Sequence, residues 1–501
     1  MTTLSKNVVF NLAGQGLVLL LSFVAVRFIF RQLGDDIFGI IYFSITLSAV
    51  LTTVLELGIS STTVREVSRH YDSEPSYITA LIQTASFLYW TFGLLILLGV
   101  FVTAPILVEK WINLRTTDVN TAATVIRILG VGTMAALPRA LYTSLFRGRQ
   151  RMALNNIIDV VVAIVQQLGI VALLKVGVGV FAVVGWISAS TLLGLVAYVT
   201  LAQRLFGWRA VVPGFNSGVV RRNLSFTTLV TANSLLSLVY TQTDKVLVSK
   251  LLPVAEFGLY GFASATVGRA SFVPAAIGQA AFPSFSNLFA AGDRVDLLRQ
   301  YRKFQDLVCF GTLPMFAGIC FAALPLYGYL FNSDVAGRLL LPTVFLAVGF
   351  AMNAAINTPN VVAVAMGKPQ LVVKSNVLAL FVVLPVTVLL VASFGITGAA
   401  FSWVFYHLFT YTYLVPRICR ECLEIRPWLW YVHAFKAFGL ALIAYGLSWQ
   451  LLAAAGSFSL GALAFAYVVG SAIFVLGAYL LIGTDLRGTL LRLPRTLMAR
   501  G

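Results

Sequence analysis

Charge is scarce in this sequence, and acidic charge is scarcest. Of 501 residues only 18 are Asp or Glu, against 35 Lys or Arg, and charged residues together make up 11% of the chain. An ordinary soluble domain carries about a quarter charged residues, so that class is excluded. The four cysteines, Cys309, Cys320, Cys419 and Cys422, lie in or beside apolar runs and form no disulfide framework. Cys419-x-x-Cys422 lacks the second pair that a zinc site needs. The three histidines, His70, His407 and His433, are too scattered for a metal or triad signature. No G-x-x-x-x-G-K-[ST] is present, so no ATPase in this chain drives anything. Gly130-Val131-Gly132 lies inside an apolar run and does not follow a strand, which excludes a dinucleotide site. The N-terminus lacks a short apolar segment with an A-x-A cleavage site, so its first run reads as an uncleaved span.

Long apolar runs are abundant. Hydrophobic residues make up 59% of the sequence, and the mean hydropathy is +0.91. Fourteen runs reach membrane length: 8–32, 38–63, 78–108, 119–145, 154–174, 178–203, 224–250, 256–288, 304–331, 337–366, 371–392, 395–416, 428–454 and 459–482. The expected fold is an all-α integral membrane protein of about fourteen transmembrane helices. The formal charge of +17 does not point to nucleic acid, because the cations occupy the short links between runs. With Lys6 on the cytoplasmic side, the cytoplasmic links hold Arg65, Arg69, Arg147, Arg149, Arg151, Arg204, Arg209, Arg221 and Arg222. The later ones add Arg294, Arg299, Arg302, Lys303, Lys368, Lys374, Arg417, Arg420 and Arg426, and the tail carries Arg487, Arg492, Arg495 and Arg500. The opposite links hold only Arg31, Lys110, Arg115, Lys175, Lys250 and Arg338. Both termini are therefore expected in the cytoplasm.

The chain repeats itself. Arg27 to Ser44 closes one run, makes a charged turn and opens the next, and Lys245 to Ala263 does the same. Phe38-Gly39 pairs with Phe257-Gly258, and Gly148-Arg149 with Gly367-Lys368, both at an offset of 219. Gly177-Val178 pairs with Gly395-Ile396 at 218, and Trp186 with Trp403 at 217. The expected organisation is a six-helix lobe over 1–203, a basic cytoplasmic linker over 204–223 and a second six-helix lobe over 224–418. Residues 419–501 add two transmembrane helices and a basic tail. Two copies of an even-numbered unit share an orientation, which predicts a pseudo-two-fold axis along the membrane normal with a cavity between the lobes.

Polar side chains inside the runs carry the functional reading, because a charge at mid-membrane costs at least about 2.5 kcal/mol. Residues four apart share a helix face. Ser44, Ser48, Thr52, Glu56 and Ser60 form such a stripe in the second run. Asn155, Asp159 and Gln166 line the fifth, and Asn233, Ser237 and Asp244 the seventh. Hydrogen bonding between helices accounts equally well for the hydroxyls and amides, while Glu56, Asp159 and Asp244 point to a water-filled cavity. The cations within runs are Arg27, Arg127, Lys245 and Arg269. Arg27 and Lys245 lie near run ends, where a long side chain snorkels to the interface, and Arg139 reads the same way. Lys245 is about 100° round the helix from Asp244, so the two do not point squarely into one cavity. Arg127 and Arg269 lie deeper and have no charged counterpart in the other repeat, where Leu346 and Val50 stand. They are the sharper candidates to meet an anionic group. His407 offers proton coupling, or simply packs. Pro138, Pro274, Pro314, Pro359 and Pro385 mark expected bends.

With its six-plus-six-plus-two plan, the Gly34-Asp35-Asp36-Ile37-Phe38-Gly39 start of the second run, Leu57-Gly58-Ile59, and Tyr240-x-x-x-Asp244-Lys245, the chain resembles the polysaccharide (Wzx-type O-antigen) flippases. These belong to the multidrug/oligosaccharidyl-lipid/polysaccharide exporter superfamily. The resemblance implies translocation of an undecaprenyl-pyrophosphate-linked oligosaccharide across the bacterial cytoplasmic (inner) membrane by alternating access. It implies a cationic cavity, whose role would fall on Arg27, Arg127, Lys245 and Arg269, with Asp244 the matching acidic position. No cofactor is expected beyond coupling to H+ or Na+. The expected partners are the polyisoprenyl-pyrophosphate-linked glycan, membrane lipids, and the polysaccharide polymerase and glycosyltransferases, with no nucleic acid. Rival readings are a cation-coupled drug exporter, a lipid II flippase, and a membrane-embedded glycosyltransferase or ligase. The last would present acid/base residues in a sizeable outer loop, and the outer links here are short.

Overall fold

The computed structural model describes residues 3–456 and 458–488, with side-chain surroundings for residue 14 and from residue 16 onward. The side chain of Lys6, and Arg492, Arg495 and Arg500 entirely, lie outside what is described. Hydrocarbon offers no partner to a peptide group, so membrane-length apolar runs satisfy their backbones as helices. The first seven long helices are α1 (Thr3–Leu33), α2 (Asp35–Glu56), α3 (Ile59–His70), α4 (Pro75–Lys110), α5 (Val119–Gly148), α6 (Met152–Val176) and α7 (Val180–Phe206). After the short α8 (Trp208–Val211) come α9 (Ser217–Leu251), α10 (Val254–Gly268), α11 (Phe272–Ala290), α12 (Arg294–Leu330) and α13 (Ser333–Ala365). Next are α14 (Gln370–Ile418), α15 (Pro427–Ala441), α16 (Leu447–Ala454) and α17 (Leu460–Leu481). Asp118, Asn216, Asp293, Asn332 and Ser459 cap helix starts with their side-chain oxygens.

Twelve helices among the described residues are long and apolar enough to cross a membrane. Two further crossings are hidden in that count. Gly395 (φ 57°) breaks α14 into segments 370–394 and 396–418, and α10 with α11 makes another crossing, interrupted by a 3₁₀ turn at Arg269–Ser271. The fold is all-α with fourteen long membrane segments. Gly177, the repeat partner of Gly395, also has a positive φ, of 80°. Both positions demand a conformation that only glycine adopts at no cost.

The packing divides the chain into two compact units, with the boundary between Gly258 and Leu259. In the first, α4 lies along α5, α5 along α7, and α1 along α6, while α2, α3 and α4 all touch α9. The end of this unit opposite its basic links is pinned by Asp36, which is 1% exposed. One carboxylate oxygen accepts the backbone N–H groups of Arg115, Thr116 and Thr117 at 2.9, 2.7 and 3.0 Å, and the Thr116 hydroxyl at 3.1 Å. The same loop donates from Asn113 to the Lys250 and Leu252 carbonyls and accepts Val254 N–H. Gly39 meets its own repeat partner here. A Cβ on Gly39 would stand 2.0 Å from the Val254 carbonyl oxygen, and one on Gly258 would stand 2.6 Å from Gly39 Cα. Phe43 packs edge-on against Phe257 in the same seam.

In the second unit, α12, α13 and α14 pack in sequence, α11 lies against α12 and α13, and α15 and α17 join α12. Cys419 and Cys422 sit with Tyr301, Phe285 and Trp430 in its apolar core. The C-terminal helices are fastened by Asp306 of α12. It pairs with His433 of α15 at 2.6 Å and accepts Gly483 N–H, just beyond α17, at 2.8 Å.

Candidate functional site

The polar stripe of α2 ends at a break in the helix. Leu57 (φ 48°) and Gly58 (φ 68°) are left-handed, and α3 restarts at Ile59. The hydrogen bond from Ser60 N–H to the Glu56 carbonyl, which a continuous helix would make, is replaced by one side chain. Tyr89 of α4 donates its hydroxyl to the Glu56 carbonyl at 3.0 Å and accepts the Ser60 N–H at 3.0 Å. Inserting a side-chain group into the backbone ladder is a recognised cause of a sharp kink. None of the five prolines marked the position. Tyr89 is fully buried, so Tyr89→Phe leaves Ser60 N–H without an acceptor, at a cost of about 1–3 kcal/mol. The expected result is a melting temperature lowered by several degrees in detergent; an unchanged one would mean that the break holds without the hydroxyl.

Below the break, toward the basic end of the first unit, α3 and α4 face α9 across a ring of charged and polar groups. Arg65 Nε donates to Glu66 Oε1 at 2.8 Å and Arg65 Nη2 to Asn223 Oδ1 at 3.1 Å. Asn223 Nδ2 donates to Tyr77 Oη at 2.8 Å, and Tyr77 returns its proton to Glu66 Oε2 at 2.9 Å. Beside this closed ring, Arg222 makes a forked pair with Glu74 at 2.7 and 3.1 Å, and His70 Nδ1 lies 2.9 Å from the same carboxylate. The Arg65 guanidinium stacks over Phe226, and that of Arg222 over Tyr77, each at 3.8 Å. Hydrogen bonding to Arg222 holds the Glu74 carboxyl below its ordinary value of 4.5, with His70 acting the same way. The pairing is therefore at full strength above that value and is lost as pH falls through the lowered one.

Between the break and the ring lies a cavity of about 420 Å³, lined among others by Leu57, Leu88, Thr62, Thr227, Thr231 and Leu235. Its threonines do not make it polar. Thr62, Thr84, Thr228 and Thr231 give their hydroxyls to the carbonyls of Gly58, Ala80, Leu224 and Thr227 and leave methyl groups on the wall.

The expected cations fall into different surroundings. Arg269, at the start of the 3₁₀ turn inside the α10–α11 crossing, is exposed and has no ion pair or hydrogen bond among the described residues. Arg127 is engaged: Nε donates to the Phe101 carbonyl at 3.0 Å, and the guanidinium lies 4.7 Å from the Phe101 ring. Arg27 is half-buried in α1 and has a partner. Lys245 lies 3.5 Å from Asp244 Oδ1 and donates to the Thr241 carbonyl at 3.1 Å, with Asp244 buried. Four methylenes carry the ammonium back along the helix to these two acceptors, so the pair forms although the side chains leave the helix about 100° apart.

The polar candidates divide as well. Asp159 is paired. Arg139 Nη2 donates to it at 2.6 Å and the Tyr198 hydroxyl at 2.8 Å, which clasps α5, α6 and α7 together. The sequence reading placed Arg139 at the interface and did not foresee this ion pair. Asn155 donates to the Thr143 carbonyl. Thr52 donates to the Ser48 carbonyl, so the stripe spends part of its polarity on its own backbone. Glu56 is half-buried, Asn233 is exposed, and neither side chain has a partner among the described residues. His407 is 1% exposed, packed among Trp403 and Tyr406, and neither ring nitrogen is hydrogen-bonded among the described residues.

Sequence reasoning missed Tyr89, Glu66, Glu74, Tyr77, Asn223 and the Asp306–His433 pair. Glu66 and Glu74 are two of only 18 acidic residues, and they stand in or beside a basic link. Acids so placed were the available signal. Tyr89 gave none, because one tyrosine among many apolar residues reads as packing.

The family described as polysaccharide biosynthesis protein matches residues 4–289. A Shigella flexneri protein named "Putative O-antigen transporter" is 24% identical over 409 residues, covering 79% of this chain and 93% of that protein. Among solved structures, the lipid II flippase MurJ in an inward closed conformation superposes with a TM-score of 0.70 at 12% identity, covering 96% of this chain and 100% of that one. An inward-facing multidrug resistance transporter of the MATE family, from the MOP superfamily, gives 0.65 at 11% identity, over 80% and 94%. The chain thus shares its helical fold with these two solved structures, and it belongs to the polysaccharide biosynthesis protein family.

Proposed function

We propose that this protein is a flippase, and not an enzyme, that moves undecaprenyl-pyrophosphate-linked oligosaccharide units of an O-antigen or exopolysaccharide across the cytoplasmic membrane by alternating access. The observation that carries the reading is Arg269. An exposed guanidinium near the middle of a membrane crossing, without a counter-ion among the described residues, is too costly to face lipid. It requires water and an anion. The 3₁₀ turn places the start of α11 beside it, and Ser271 adds a buried hydroxyl without a hydrogen-bond partner among the described residues. A helix start and a guanidinium together suit a diphosphate. Membership of a polysaccharide biosynthesis family and similarity to a protein named for O-antigen transport support the glycan. The one-sided basic links support cytoplasmic termini. Coupling to H+ or Na+ would draw on Glu56 or Asp244, and polymerase and glycosyltransferases are the natural neighbours.

The test is complementation. Expressed with its cognate glycan genes in a host lacking its own O-antigen transporter, the protein should restore surface glycan. Normal membrane insertion without surface glycan would sink the proposal. Rescue of a strain depleted of its lipid II flippase, or a gain in drug resistance, would instead favour one of the two rivals within the superfamily.

A further inference from the structure

We propose that the ring joining α3 and α4 to the first turns of α9 is a latch that must open and close during transport. Three observations carry it. The contact is narrow: its polar ring sits beside an open apolar cavity of about 420 Å³ between α4 and α9, which limits the area over which the two helices pack. The pair that crosses its rim stays wet. The side chains of Arg222 and Glu74 are 42% and 38% exposed, so that pair is weak and readily exchanged for water, while Glu66 and Asn223 lie buried behind it. Finally, α3 meets α9 lightly. It is a twelve-residue helix cut from α2 by two left-handed residues and packed on α4 and α5, and it meets α9 through small groups, Thr62 to Thr227 at 2.9 Å and Gly58 close to the Thr227 carbonyl. A helix seated on its own bundle that touches the next helix through small groups and an exchangeable ion pair is the form of a gating surface.

By sequence, the latch joins the first repeat to the opening helix of the second. The charged and titratable groups facing each other across it are Arg65, Glu66, His70, Glu74 and Tyr77 on α3 and α4 and their connection, and Arg222 on α9. Its requirement for transport rests on the flippase reading above. Its opening does not, and the two are tested separately.

In full-length protein with the four cysteines replaced, spin labels at the exposed Arg69 and Arg221 positions report the separation of α3 from α9. Glu74→Gln combined with Arg222→Gln should raise the population of a longer distance, by up to roughly tenfold. The swap of Glu74→Arg with Arg222→Glu should restore the short one. An unchanged distance distribution in the Gln pair overturns the latch, whatever the substrate. For transport, Glu74→Cys with Arg222→Cys is bridged by a reversible bifunctional thiol reagent. Surface glycan delivery should fall to background on bridging and return on reduction, and Arg65→Cys with Phe226→Cys provides a second, independent bridge. Equal delivery before and after complete bridging of either pair would show that the latch never opens in the cycle.

Discussion

Arg269→Ala stops glycan export while leaving the protein in the membrane at its normal level. A charge-assisted hydrogen bond contributes about 1.5–3 kcal/mol, so losing one to a diphosphate lowers transport by roughly ten- to a hundredfold. Arg269→Lys should fall between, because an ammonium keeps the charge but loses the fork that matches phosphate. Arg127→Ala should cost less. Its guanidinium is already bound to a carbonyl and a ring of α4, so the lost group was holding the α4–α5 seam. The measurement is surface glycan per unit of membrane-inserted protein, for the three variants side by side. Full export by Arg269→Ala, or a larger loss for Arg127→Ala, would overturn the assignment of Arg269 as the substrate-facing cation.

Gly39→Ala prevents the protein from accumulating in folded form. The added Cβ would lie 2.0 Å from the Val254 carbonyl oxygen and 2.5 Å from its carbon, and backbone cannot swing away as a flexible side chain does. Overpacking of this kind costs about 3 kcal/mol or more, a large share of the 5–15 kcal/mol that holds a typical protein folded. Gly99→Ala, in α4 with nothing within 4 Å of the added methyl, supplies the contrast. There the methyl only improves helix propensity, by up to about 1 kcal/mol. Monodisperse yield in detergent should collapse for the first variant and hold or rise for the second. Equal yields would mean that the seam between residues 39 and 258 opens freely.

The plan of the fold was legible because it rests on run length. About twenty apolar residues must cross as a helix, and a repeat betrays itself through glycines that a turn or close contact requires. Phe38-Gly39 and Phe257-Gly258 were found as echoes and turned out to touch. The break at Gly395 fell at an expected run boundary, but those inside runs were not legible. Proline was the expected marker, yet the interruptions fall at Leu57–Gly58 and Arg269–Ser271. The first depends on a tyrosine some thirty residues away in sequence. The candidate site was legible in type and only partly in detail. Counting charges within runs found Arg127, Arg269, Asp159 and Asp244 alike, but it could not tell that Asp159 already holds Arg139. Pairing depends on which helices are neighbours, and a single sequence does not say.

The Gly39 seam also sets an order of assembly. Asp36 finds its three N–H donors only after residue 117 has emerged, and the seam is complete only with Val254 and Gly258. At a synthesis rate of about 5–20 residues per second, the roughly 220 intervening residues take on the order of 10–40 s. Throughout that interval α2 sits in the bilayer with a bare glycine groove at one end, open to a passing helix of another chain. A nascent chain halted near residue 203 would carry all six helices of the first repeat and still lack the piece that closes that end. Quality-control proteases should therefore find such a truncated product an early substrate, although every span in it is intact.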